Sequence, residues 1–202
     1  RAIEFGDEIT GVTLQKMVKK LDAGDVLGYR KTPLQDCEDA KSLFLRLAKL
    51  GTELLHVELM DFVRGNLVPV PQDESLVTYA KKIEKNEGLI QWTQPAEVIE
   101  RKMRAFSMGP GTHTYFEKKI LKIQSARVYL KPIELLNLGS KSFSSGQVVK
   151  VEDKSFIVLT GQGLLEVLEV QPESRSRMNV QDFLKGHNLQ EGTLLGELSV
   201  PG

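Results

Sequence analysis

The sequence predicts an α/β segment followed by a β-rich domain built as a small barrel. Three observations carry this prediction. Residues 39–64 place apolar side chains at helical spacing and follow two extended segments. Asn66, Pro69 and Pro71 then interrupt the pattern. From His113 onward, apolar residues recur at every second position. A chain of 202 residues suffices for one large domain or two of about 100 residues each.

Taken in order, Ala2-Ile3-Glu4-Phe5-Gly6 reads as the last turn of a helix ending on glycine. Residues 11–18 place Val12, Leu14 and then Met17-Val18 as a strand, and residues 25–32 form a second extended segment paired with it across 19–24. Pro33 ends that segment. A long helix is predicted over 39–64, with Leu43, Leu47, Leu50, Leu54 and Val57 as its buried stripe. Asp36, Glu38 and Asp39 lie near its positive end, and Gly65 suits the position after its last turn. Gly51 in mid-helix costs about 1 kcal/mol relative to alanine and marks a place for a kink. Residues 76–83 are too polar for a core element and read as a crossing between domains. Trp92-Thr93-Gln94-Pro95 opens a second helix, with Thr93 as cap and Pro95 in the first turn. Ile99, Met103 and Phe106 form its core stripe, Arg101 and Arg104 share another face, and Gly109-Pro110-Gly111 stops it.

Strands are then predicted over 113–117, 120–130, 146–152, 155–161 and 164–171, with turns at 153–154 and 161–163. A short helix over 180–185 is capped by Asn179. Several short strands with one helix suggest a barrel of the oligonucleotide-binding (OB) type, since closure hides edges that an open sheet would expose. The expected segments are 1–65, a linker over 66–91, and 92–202. The first 65 residues hold two strands and one striped helix, too little to close a core. The expectation is therefore the carboxyl-terminal part of a longer protein.

Apolar residues make up 41% and charged residues 27%, values suited to a buried core. No window approaches the 18 or more apolar residues of a membrane-spanning helix, so no membrane partner is expected. Residues 1–5 lack the apolar core and cleavage site of a secretory leader. Cys37 is the single cysteine and His56, His113 and His187 are scattered, which leaves no metal-ligand spacing and suits a reducing compartment. The charges balance at 27 and 27, but unevenly. Residues 79–131 carry 11 Lys/Arg against 5 Asp/Glu, while 1–78 carry 10 against 13 and 132–202 carry 6 against 9. A basic middle offers a polyanion a local landing surface, and a solvated lysine-rich face has the same composition.

The turn Leu21-Asp22-Ala23-Gly24-Asp25 places two carboxylates between two strands. Turn geometry alone accounts for Asp and Gly there. A functional reading needs a carboxylate held at a strand end to orient a histidine or carry a proton, and no local histidine offers itself.

These residues carry a resemblance. Gly6-Asp7-Glu8-Ile9-Thr10-Gly11-Val12-Thr13, followed by Leu21 to Leu27, resembles the signature of the 10-formyltetrahydrofolate-dependent formyltransferases. Thr78 to Ile83, Gln91-Trp92, Arg104-Ala105-Phe106 with Pro110, and Met178 to Gly186 resemble the methionyl-tRNA formyltransferase branch of that family. The resemblance runs from about residue 3 to residue 198, nearly the whole chain. It implies a Rossmann-like catalytic domain, present here in part, a linker, and a barrel-like carboxyl-terminal domain. It implies formyl transfer from 10-formyltetrahydrofolate to the amino group of initiator methionyl-tRNA, in translation initiation. Asp22 matches the family's catalytic Asp, with Leu21, Asp22 and Gly24 in the folate-binding turn. The family's Asn and His, which stabilise the oxyanion, and its Ser-Leu-Leu-Pro loop are expected upstream of Arg1, so the chain alone is expected to be inactive. Lys81, Lys82, Lys85, Arg101 and Arg104 are the residues expected to meet tRNA. Glu97–Arg101 and Glu100–Arg104 pairs on a solvated helix face are the bland alternative for the arginines. Where many members have Asn-Pro-Trp-Pro, this chain has Ser107-Met108-Gly109-Pro110, which puts a stacking role at that corner in doubt. A cytoplasmic or organellar-matrix location and a monomer are expected. The rival readings are a formyltransferase acting on a small amine such as a sugar nucleotide, and a non-catalytic nucleic-acid-binding barrel.

Overall fold

A computed structural model describes residues 1–131 and 142–196. The chain divides into two compact units, Arg1–Lys82 and Ile83–Gly202. The division falls inside the segment expected as linker.

In the first unit, helix α1 (Ala2–Phe5) ends on Gly6 in the left-handed conformation, and buries Ile3. Strands β1 (Ile9–Gln15) and β2 (Val26–Pro33) form an antiparallel hairpin, paired from Ile9 with Pro33 to Leu14 with Gly28. Gln15 then pairs with Val26, so Leu27 stands as an extra residue in β2. Such a bulge bends a strand and re-aims the side chain opposite. β1 therefore starts two residues earlier than expected and stops at Gln15, leaving Met17 and Val18 outside it and exposed.

Helix α2 (Ala40–Val63) packs against both strands. Its first turn is closed reciprocally: Ser42 N–H donates to Asp39 Oδ1 at 2.8 Å, and Asp39 N–H donates to Ser42 Oγ at 3.1 Å. Gly51 stays within one uninterrupted helix and faces Val12. Only Leu43 and Leu54 of the expected stripe are buried, while Val57 is 52% exposed. The two-stranded hairpin is too small to cover a helix of 24 residues, between six and seven turns. A buried ion pair ties helix to hairpin: Arg46 Nε and Nη2 donate to the two carboxylate oxygens of Glu38 at 2.8 and 2.7 Å, with Nη2 also donating to Pro33 O. Beyond α2, Val70 pairs back onto Val26 through two backbone hydrogen bonds of 2.8 and 2.9 Å.

In the second unit, helix α3 (Ala96–Ala105) leads into β3 (Thr112–Phe116), β4 (Lys119–Val128), β5 (Val148–Val151), β6 (Phe156–Leu159), β7 (Leu164–Pro172), β8 (Met178–Asn179) and helix α4 (Val180–Gly186). The antiparallel sheet runs β3-β4-β7-β6-β5, with β8 on β7. Pro95, not Thr93, is the cap of α3, and no side chain closes that end. Instead Ala96 N–H donates to Gln162 O, from the turn between β6 and β7. Asn179 caps α4 as expected, accepting from Asp182 N–H at 2.8 Å. The core gathers Ile90, Trp92, Ile99, Phe156, Val158, Leu165 and Phe183. Trp92 Nε1 donates to the buried Thr114 hydroxyl at 3.0 Å, satisfying the one polar atom of its indole.

No strand ladder joins the outer strands β3 and β5 among the described residues. Residues 192–196 run between them. Val148 exchanges backbone hydrogen bonds with Gly192 and Thr193, Leu195 N–H donates to Gly146 O, and Gly196 N–H donates to Tyr115 O.

Candidate active site

The turn between β1 and β2 is drawn closed by backbone contacts. Lys16 N–H donates to Asp25 O at 3.0 Å. Opposite, Gly24 lies so close to Lys16 that an added Cβ would stand 1.7 Å from the Lys16 carbonyl oxygen, so only glycine fits. Asp22 holds φ at 54°, in the left-handed region that Asp tolerates better than most residues. The geometry exposes two neighbouring side chains, the Asp22 carboxylate and the 88% exposed Leu21.

Gln72 holds this turn from outside. Its Nε2 lies 2.7 Å from Gly24 O, 3.0 Å from Asp22 O and 3.1 Å from Gln15 Oε1. Gln15 Nε2 lies 3.5 Å from Asp22 Oδ1. Neither glutamine stood out in the sequence. Gln72 falls in a proline-punctuated stretch that reads as a boundary, and its partners lie 48 to 57 residues away. The Val26–Val70 pairing delivers it. Beside the turn, a cleft of about 490 Å³ is lined by Val26, Leu27, Tyr29, Val70, Leu76 and Val77 among others.

No hydrogen bond joins Asp22 to a histidine among the described residues. His56 is exposed on α2. His187, in the second unit, stacks on Phe183 at 4.3 Å with its Nδ1 3.1 Å from Phe183 O, a packing role. His113 is held below its ordinary value first by burial and then by Lys122 and Lys102. No cluster of three or more metal-ligating side chains occurs among the described residues. No described helix is long and apolar enough to cross a membrane.

The expected basic residues divide between the two units. Lys81 and Lys82 close the first unit, both exposed. Their backbone is gripped by the Arg1 guanidinium, which donates to Lys81 O at 3.0 Å and Lys82 O at 3.1 Å. Lys85 is exposed in the second unit, on a short 3-10 turn over Lys85–Gly88. On α3, Arg104 Nε donates to both Glu100 oxygens at 2.7 and 3.0 Å. Arg101 is half-buried, and its Nε has no hydrogen-bond partner among the described residues. Met108 is exposed just after α3.

Comparison with known proteins adds independent observations. Residues 82–188, more than half of the chain, match the family model described as formyl transferase, C-terminal domain. Over 97% of its length the chain is 52% identical to methionyl-tRNA formyltransferase from Bdellovibrio bacteriovorus and 39% identical to that from Acidithiobacillus ferrooxidans. It spans 60% of the length of each. Among solved structures, HypX from Aquifex aeolicus in complex with tetrahydrofolic acid aligns with a TM-score of 0.65. That alignment covers 92% of this chain and 31% of HypX at 23% identity, a likeness of fold.

Proposed function

The chain belongs to the formyltransferases that carry the formyl transferase C-terminal domain, and from that membership we propose that the whole protein transfers a formyl group from 10-formyltetrahydrofolate to the amino group of initiator methionyl-tRNA. The observation that carries this reading is the Asp22 turn. It holds an exposed carboxylate beside an exposed apolar side chain, in a turn where only glycine fits at Gly24. The identity with two methionyl-tRNA formyltransferases, running through both units, favours tRNA as acceptor over a small amine.

The turn suits the folate. Leu21 offers an apolar cover for a flat heterocycle, and Gly24 lets the backbone lie close. The folate supplies the formyl carbon. Asp22 takes up the charge and the proton that the attacking amino group releases, as a carboxylate held at a strand end can. As the new C–N bond forms and the bond to the folate nitrogen breaks, that proton passes on to the departing nitrogen. In the family the Asp that relays the proton also orients a histidine; Asp22 has no hydrogen bond to a histidine among the described residues, so the activity is assigned to the whole protein.

The finer architecture is part of the proposal. The hairpin and α2 are the carboxyl-terminal portion of a Rossmann-like domain. The second unit is an OB-like barrel, and the support is the run of hydrogen bonds through 192–196 between β5 and β3. Lys81, Lys82 and Lys85 meet tRNA phosphates, with Arg101 and Arg104 as further contacts. Of the two, Arg104 already has an ion pair. A cytoplasmic monomer is the state proposed. The test is acceptor choice. The full-length protein with 10-formyltetrahydrofolate should formylate initiator methionyl-tRNA at least 100-fold more efficiently, by kcat/KM, than an amino-sugar nucleotide, about 3 kcal/mol of discrimination. The reverse preference would assign it to the small-amine branch.

A further inference from the structure

We infer that Gln72 is a positioning residue for the Asp22 carboxylate, acting through Gln15; the inference rests on the reading of Asp22 as the catalytic carboxylate. Backbone carbonyls can only accept hydrogen bonds, so the two that face Gln72, from Asp22 and Gly24, fix its amide with the NH2 toward the turn. The same NH2 lies 3.1 Å from the Gln15 amide oxygen, so its two protons serve three acceptors and one N–H is shared between Gln15 and the turn. The Gln15 NH2 is left to point at Asp22 Oδ1. A donor facing the carboxylate can hold its orientation; an oxygen there would repel it.

Three further features serve this chain of contacts. The bulge at Leu27 sits where the register shifts between Leu14 and Gln15, and sets the direction of the Gln15 side chain. The paired backbone of Val26 and Val70 fixes the strand that carries Gln72. Asp22 itself sits in a left-handed conformation, whose carbonyl Gln72 holds. Gln72 is exposed at the rim of the cleft.

The experiment uses the full-length protein and follows formylation of methionyl-tRNA. Gln72→Met keeps length and removes the donor, and is expected to lower kcat by about 10- to 100-fold, as a misplaced catalytic group does, with KM for tRNA within twofold. Gln15→Met should lower kcat alike, and the double variant should lose no more than the worse single one, because both break one chain of contacts. Gln72→Glu, whose carboxylate would turn the Gln15 oxygen toward Asp22, should lose more than Gln72→Met. Thermal midpoints within about 2 °C of wild type show that each variant is folded. Two results would overturn the inference: kcat within twofold of wild type in Gln72→Met, or multiplicative losses in the double variant. Asp22→Asn is assayed alongside. If it keeps full activity, the reading of Asp22 itself fails; if it is inactive while Gln72→Met is normal, only the role of Gln72 fails.

Discussion

A single ion pair shows how the first unit is held at the scale of residues. The Glu38 side chain is 4% exposed and receives both arms of the Arg46 guanidinium. Hydrogen bonding from Arg46 holds its carboxyl below the ordinary range against the opposing effect of burial, with a further contribution from Gln35 N–H. A carboxylate whose folded value is depressed adds stability above its unfolded value and loses it as pH falls through the folded one. The pair should therefore stabilise the protein at neutral pH, with the contribution fading below about pH 4.5. Arg46→Met removes the guanidinium hydrogen bonds from the buried Glu38 and should cost about 1–3 kcal/mol at pH 7. Thermal melts from pH 7 to pH 3 check this: the gap between wild type and variant should narrow on acidification, and a constant gap would refute the role of the pair. Asp22 and Leu21 illustrate the opposite design, side chains left in solvent by a turn whose backbone is fixed.

Among elements, the segment that ends the first unit is the one most open to test by charge. Lys81 and Lys82 project into solvent while Arg1 holds their carbonyls, so the backbone is ordered and the charges are free to meet a polyanion. Lys81→Glu combined with Lys82→Glu should weaken tRNA binding and flatten its salt dependence, by about 0.9 in log–log slope per lost phosphate contact on a duplex. Folate binding should be unchanged. Equal affinity and an unchanged slope would make these lysines an ordinary solvated surface. What was legible at this scale was local. Asp39, Asn179, and the glycines after α1 and α2 announce helix ends because their partners lie within a few residues. The α3 start differs from the expected Thr93 cap because its partner, Gln162, lies 66 residues beyond Ala96. Val57 was misplaced for a related reason: periodicity marks the apolar face of α2 but cannot say how far the hairpin reaches along it.

The first unit offers a carboxylate on an exposed turn and the second buries apolar clusters against its sheet, and the sequence shows only part of this. The Leu21–Asp25 turn was legible because its motif is contiguous. The glutamines that hold it were not, since Gln72 reaches Asp22 and Gln15 only after the chain has passed through β2 and α2. The expected barrel rests on a count of strands; in the structure no ladder joins β3 and β5 among the described residues, and the hydrogen bonds between them come from residues 192–196, which have little apolar pattern. The account stands or falls on whether the Asp22 carboxylate serves formyl transfer to methionyl-tRNA. The direct measurement is single-turnover formylation of initiator methionyl-tRNA by the full-length protein and by its Asp22→Asn variant, at saturating 10-formyltetrahydrofolate and with tRNA binding measured in parallel. Loss of rate by about 100-fold or more with tRNA affinity unchanged is the predicted result, the scale expected of a positioned acid–base group. An Asp22→Asn rate within a few-fold of wild type would contradict it.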